Sequence, residues 1–197
     1  MSELDANDRM TRITPRSRHV PTDPPVHETQ PKAVPYGGQG AGDGGSRRCG
    51  VQQRMDIGRV APEAYRAVAG LEGYVQKNVD HTVLELVKLR ASMINGCAFC
   101  VDMHSRDALA AGESSRRLFA VSAWRESSLF DERERAALAL TDEVTRLGEH
   151  GVSDEVWDGA AKVWSEKELA DLVVAIATIN VWNRVAVTVH AQTPTEV

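Results

Sequence analysis

Residues 85–104 read ELVKLRASMINGCAFCVDMH, and the way this stretch folds decides how the rest of the chain is arranged. Asn95-Gly96 interrupts a run with helical spacing, and the spacing resumes from Cys97 to Ala111. Two helices are therefore expected to meet at a tight turn, with Cys97 at or near the N-terminus of the second. Unpaired N–H groups and the helix dipole stabilise a thiolate there, and cysteine pKa values in such positions fall to about 3.5 to 7.5. At about 100° per residue, Cys97, Cys100 and His104 share an arc of roughly 60° with Val101, Ala108 and Ala111. The polar Asp102, Ser105, Arg106 and Asp107 fall outside that arc. His104 is thus expected to point inward beside the thiols, one turn beyond Cys100 and able to accept its proton. Glu85 lies ten residues before Asn95, and His104 lies nine after it. An antiparallel hairpin with about 1.5 Å rise per residue sets both roughly 14 Å from the turn, level with one another. A carboxylate, an imidazole and a dithiol on facing helices can form a proton relay that activates one sulfur.

The C-x-x-C spacing alone leaves other chemistries open. A structural zinc site wants four ligands, whereas this stretch supplies Cys97, Cys100 and His104, so His81 or His190 would have to be recruited. Haem attachment requires a histidine directly after the second cysteine, where this chain has Val101. His104 on its own reads as a satisfied core histidine, and Glu85 has a competing structural partner in Lys88, three residues on.

The run Glu85, Ser92, Asn95, Gly96, Cys97, Cys100, His104 resembles the core of the carboxymuconolactone decarboxylase superfamily, in its AhpD-like alkylhydroperoxidase branch. The resemblance extends from about Met55 to the C-terminus, where ATINVWNR (residues 177–184) is similar to the family's last long helix. It implies an all-α, oligomeric thiol peroxidase, a trimer or hexamer, whose C-x-x-C pair cycles between dithiol and disulfide. The catalytic residues it implies are Cys100, Cys97, His104 and Glu85, with no bound cofactor and no metal. His104, supported by Glu85, would deprotonate Cys100 for attack on the peroxide, and Cys97 would close the disulfide. Cys97, nearer the helix end, is expected to be the easier target for an incoming reductant, and the two sulfurs can exchange roles. The partners implied are a peroxide substrate and an external dithiol, lipoyl-type or thioredoxin-like. The mycobacterial-type enzyme carries a second histidine where this chain has Phe99, which bears on both the relay and the reductant. The alternatives are a redox-responsive or structural helical oligomer, and a lactone or carboxylic-acid enzyme of the decarboxylase branch.

The remainder of the chain divides sharply in composition. Residues 1–54 hold six of the eight prolines and seven of the fifteen glycines, with Tyr36 their only aromatic residue. Such a segment cannot bury a core and is expected to be a disordered tail, with Met55 a natural start for the domain over 55–197. Cys49 belongs to the tail and is given no role. The tail carries eight Lys or Arg against six Asp or Glu, a net +2, which leaves −7 on the rest. Neither part has the footprint of a nucleic-acid binder. Glu3, Asp5 and Asp8 interrupt the arginine-rich start and no apolar h-region follows, so the expected location is cytoplasmic.

Helical spacing begins at Pro62 with Ala64, Val68 and Leu71, and continues from about Thr82 to Ile94. After the cysteine helix, Ser114 or Ser115 caps a helix to about Trp124. Asp131 opens another through Ala136, Leu140, Val144 and Leu147 that Gly148 stops, and Ser153 caps one to about Trp164. Ser165-x-x-Glu168 has capping-box spacing and opens a helix to about His190, whose apolar run of residues 172–177 is too short to span a bilayer. That helix is expected to serve core and subunit interface, with Asn180, Asn183 and Arg184 satisfying backbone or subunit contacts. Trp157, Trp164 and Trp182 read as packing residues, and His150 as a loop residue.

Overall fold

The computed structural model of the chain describes residues 52–193, and among them every regular element is helical. In order these are α1 (Ile57–Val60), α2 (Pro62–Asn78), α3 (His81–Asn95), α4 (Ala98–Ala110), α5 (Ser115–Ala120), a 3-10 helix (Val121–Glu126), α6 (Glu132–Thr145), α7 (Asp154–Val163) and α8 (Glu166–Val189). The expected tail through residue 51, with Cys49, lies outside the described residues. Arg54, on the tail side of the expected boundary, donates its backbone N–H to Val189 O at 2.8 Å and its guanidinium to Thr188 O at 3.1 Å.

The start signals work through their side chains. Asp80, Ser114 and Ser153 cap α3, α5 and α7, while Asp131 with Glu134 and Ser165 with Glu168 form reciprocal capping boxes on α6 and α8. Each cap satisfies N–H groups that the first turn leaves without partners.

α3 is the centre of the fold. Its residues from Val83 to Ser92 are all buried, and it packs against α2, α4, α6, α8 and the 3-10 helix. Val83 and Val87 enter one core with Leu140, Trp164, Leu172 and Ile176, contributed by α6, the α7–α8 junction and α8. Leu86 and Leu89 enter another with Ala108, Val121, Trp124 and Leu138. Leu84 closes a third side with Val75 of α2 and Ala175 of α8.

Several local expectations change, among them Trp157, read as a packing residue, and Ala111, placed on the inward stripe, both of which are exposed. On α2, Ala64 and Leu71 are exposed and the buried residue is Val75, because this outer helix is covered only where it meets α3 and α8. Tyr65 there packs at a tilt against Trp182 of α8, and Tyr74 donates to Asp171 at 2.7 Å. Regular α5 stops at Ala120, and the chain reaches Trp124 as a 3-10 helix whose carbonyls at Val121 and Ser122 accept from Arg90. α6 ends at Thr145, leaving Leu147 exposed, because Glu143 accepts from the Ser153 N–H and hydroxyl and draws the chain back toward α7. By length and composition alone α8 could cross a membrane, yet it buries Asp171, Asn180 and Asn183 against its neighbours, as the core helix of a folded domain does.

Arg90 and Asp142 form a buried two-point ion pair between α3 and α6, at 2.5 Å from Nε and 3.1 Å from Nη2, and Arg125 also contacts the carboxylate. Burial pushes Asp142 up, but the hydrogen bonds and charges of Arg90 and Arg125 outweigh it and hold the carboxyl below the usual range. A depressed carboxyl contributes stability above its unfolded pKa and loses it as pH falls through the folded value. Asp142→Asn is therefore expected to cost about 3 to 5 kcal/mol at neutral pH, the range for breaking a buried pair. In urea titrations the gap to the parent should narrow in acid.

Candidate active site

Gly96 ends α3 in the left-handed conformation, with φ of 66°, where a side chain would be strained. The Cys97 N–H then returns to Ser92 O at 3.0 Å, and Cys97 becomes the N-cap of α4, its Sγ accepting from the Cys100 N–H at 3.3 Å. The two cysteines are joined as a disulfide with their Cα atoms 5.3 Å apart. Both are buried, at 2% exposure for Cys97 and 1% for Cys100, under Ala186 of α8, Ala191 and Phe99. Position at the helix end therefore gives Cys97 no advantage in exposure. Ala186 and Ala191 come from a distant part of the chain, which local spacing does not reveal.

The turn is held from α8. Asn95 Nδ2 donates at 2.9 Å to the side-chain oxygens of both Asn180 and Asn183. Asn183 Nδ2 donates to Ser92 Oγ at 3.0 Å, and Arg184 donates to Asn180 Oδ1 at 2.8 Å. These residues brace the α3–α4 turn from side chain to side chain, while Asn180 and Arg184 also donate to the backbone carbonyls of Ile176 and Asn180.

His104 and Glu85 meet as the register of the hairpin requires, with His104 Nδ1 at 2.9 Å from Glu85 Oε2 and both side chains buried. Nε2 of His104 is buried without a hydrogen-bond partner. Lys88 lies 3.4 Å from Glu85 Oε1, so the structural and the imidazole partner are held at once, one on each oxygen. Lys88 also reaches Glu72 of α2 at 2.5 Å. Glu72 was not legible as a site residue, since it lies on another helix and no local spacing ties it to Lys88. Burial raises Glu85, but the hydrogen bond and charge of His104, then Lys88 and His81, prevail and hold it below the usual carboxylate range.

Beyond Glu85, a cavity of about 140 Å³ lies between the far ends of α3 and α4, bordered by His81, Thr82, Leu86, Ala108 and Glu113. Asp107 stands near it, its carboxyl pushed up by burial and then by the charge of Glu85. Glu85, His104 and Asp107 place one donor atom each within 4.8 Å of one another. The ammonium of Lys88 lies 3.4 Å from Glu85 there, and the sulfurs take no part in that group. His190 caps the C-terminus of α8, and His150 sits in the exposed turn between Gly148 and Gly151.

A model of the carboxymuconolactone decarboxylase family matches residues 62–143. The uncharacterized protein YdfG of Bacillus subtilis is 36% identical over 138 residues, 70% of this chain and 94% of its own length. The uncharacterized protein YnjA of Escherichia coli is 30% identical over 126 residues, 62% of this chain and 68% of its own. Among solved structures, a protein of unknown function from Agrobacterium tumefaciens, a candidate antioxidant defence protein AhpD, is similar with a TM-score of 0.72 and 42% identity. That similarity covers 74% of this chain and 100% of the other.

Burial of both sulfurs has a direct chemical consequence. In the reduced, native protein a bulky maleimide should label Cys97 and Cys100 at least tenfold more slowly than in the unfolded chain, roughly the effect of a 1.4 kcal/mol opening cost. Site-resolved mass spectrometry would show it, and rapid native labelling of either sulfur would contradict the burial.

Proposed function

The chain belongs to the carboxymuconolactone decarboxylase family, in its AhpD-like branch, and from that premise we propose that it is a thiol-dependent peroxidase working through Cys97 and Cys100. The observation that carries this reading is the 2.9 Å contact of buried Glu85 with His104, one helical turn beyond the disulfide. An ionised carboxylate only accepts hydrogen bonds, so Nδ1 of a neutral His104 donates and Nε2 is left as a base.

In the reduced form His104 Nε2 takes the proton of the Cys100 thiol. The thiolate attacks one oxygen of a hydroperoxide, the O–O bond breaks, and the leaving alkoxide or hydroxide takes that proton. Cys100 is then a sulfenic acid. The Cys97 sulfur attacks it, an S–S bond forms, and the displaced hydroxide leaves as water with the Cys97 proton. An external dithiol, lipoyl-type or thioredoxin-like, reopens the disulfide by exchange and is itself oxidised. No bound cofactor enters this cycle. Burial of both sulfurs favours a second reading, in which the pair oxidises without sustained turnover and acts as a redox-responsive structural element. Peroxide consumption over many turnovers with a dithiol donor separates the two.

The variants should fail differently. Cys100→Ser should abolish peroxide reduction, while Cys97→Ser should allow one oxidation to a trappable sulfenic acid and then stop. His104→Gln and Glu85→Gln should keep the fold and slow thiol oxidation, by up to about 10² to 10⁴ for loss of a general base. Alkaline pH should partly restore both, because solvent then supplies the thiolate. Trapping the sulfenic acid on Cys97 in Cys100→Ser instead would reverse the roles of the sulfurs. Parent-like peroxide turnover in all four would remove the relay reading and make the cysteine pair structural.

The protein is further proposed to be a homo-oligomer, a trimer or hexamer, since α1, α2 and α8 keep Val60, Leu71, Val181 and Val187 exposed. Light scattering at micromolar concentration should give a multiple of the 21.5 kDa chain mass, and a monomer would overturn it.

A further inference from the structure

Lys88 is a buried charged group beside the site that the thiol chemistry leaves unused. Its side chain is 2% exposed, with Nζ 2.5 Å from Glu72 Oε1 and 3.4 Å from Glu85 Oε1. The other oxygen of Glu85 lies 2.9 Å from His104 Nδ1. Four side chains from three helices therefore stand in line: Glu72 of α2, Lys88 and Glu85 of α3, His104 of α4. Buried ion pairs seldom gain stability over well-packed apolar side chains of similar volume, so stability alone gives no reason for a lysine here.

The proton on the imidazole supplies the reason. A neutral histidine carries one proton, and the nitrogen that holds it is chosen by the hydrogen bond the ring makes. Beside an ionised Glu85 the ring must donate from Nδ1, which leaves Nε2 bare. Beside a protonated Glu85 the carboxyl can donate to Nδ1, the ring proton moves to Nε2, and the base is lost. Burial by itself drives a carboxyl toward that protonated form, and a cation on its second oxygen opposes it. The cation also removes the carboxylate's freedom to turn away, because Oε1 is already bound and Oε2 remains for His104.

We propose that Lys88, anchored by Glu72, is a positioning residue that keeps Glu85 ionised and aimed at His104, so that the imidazole carries its proton on Nδ1 and presents Nε2 as the base. The inference deepens the thiol-peroxidase reading and rests on it for its functional meaning. It makes α2, which contributes nothing else to the site, part of the relay through Glu72.

The test is 15N NMR of histidine-labelled, reduced protein, paired with stopped-flow oxidation of its thiols by hydrogen peroxide at neutral pH. The parent should show His104 as the Nδ1–H tautomer. In Lys88→Met the Nε2–H tautomer should gain population and oxidation should slow about tenfold or more, short of the full loss of a general base. Lys88→Arg, which keeps the cation, should retain the parent tautomer and rate. A folded Lys88→Met with parent tautomer and rate would overturn the proposal, as would a folded Lys88→Arg that behaves like the methionine variant. If Lys88→Met does not fold, Glu72→Ala carries the test at a half-buried residue of α2. It should move tautomer and rate in the same direction by less, and no movement would overturn the proposal. The tautomer is read without peroxide. A protein whose tautomer depends on Lys88 but whose thiols ignore peroxide would keep this inference and refute the peroxidase reading.

Discussion

A helix buried on every side must find a partner for each charge it carries, and α3 carries Glu85, Lys88 and Arg90 within ten consecutive buried positions. Each charge is met by a different neighbour. Glu85 binds His104 on α4, Lys88 binds Glu72 on α2, and Arg90 binds Asp142 on α6 together with carbonyls of the 3-10 helix. Ser92, the last of the run, accepts from Asn183 on α8. Apolar contact brings these helices onto α3 without choosing their register, since hydrophobic burial is not directional. The polar ties choose it, because a slipped helix would leave a buried charge without a partner, which costs several kcal/mol.

The parts legible in the sequence are those governed by short-range geometry. Asn95-Gly96 marks the turn because only a residue without a side chain holds φ of 66° there without strain. Counting from that turn places Glu85 opposite His104, since both helices rise by the same amount per residue. Ser165 and Glu168, or Asp131 and Glu134, announce helix starts because each cap acts within three residues. The buried edge of α2 was not legible, because Leu71 and Val75 are equally apolar and only the placement of α3 and α8 decides between them. Glu72 lay hidden for a related reason. On an outer helix a glutamate ordinarily faces solvent, and it turns inward here to meet Lys88, which also contacts Glu85.

The burial of the sulfurs comes from the same long-range packing. α8 enters the site twice: Asn180 and Asn183 grip the α3–α4 turn, and one turn later Ala186 lies over Cys97 and Cys100. A side chain larger than alanine there would separate α8 from the turn and strain the asparagine bonds. Bracing the turn and covering the sulfurs are thus two results of one close approach. His190, in the left-handed conformation, ends α8, and the backbone N–H groups of His190 and Ala191 fold back onto Val187 and Ala186. That closing turn sets Ala191 beside the disulfide, and Arg54 holds the preceding carbonyls from outside.

This arrangement separates what the two sulfurs require for different reagents. Thiol–disulfide exchange needs an attacking sulfur in line with the S–S bond, so any dithiol that reduces Cys97–Cys100 must first reach a sulfur at 2% or 1% exposure. The groups in its way are Phe99, Ala186, Ala191 and a helix end fastened by a few backbone hydrogen bonds. Helix ends are the segments that open at least cost, whereas the Glu85, Lys88 and Glu72 ties stand beside fully packed parts of α3. Opening the end of α8 past Ala186 would remove the part of the cover that Ala186 and Ala191 supply, leaving Phe99, without disturbing the carboxylate and imidazole behind it. The same helix braces the turn through Asn183 and Asn180, about one and two turns nearer its centre. The turn that carries the sulfurs is thus held by the central part of α8, and its end supplies part of their cover.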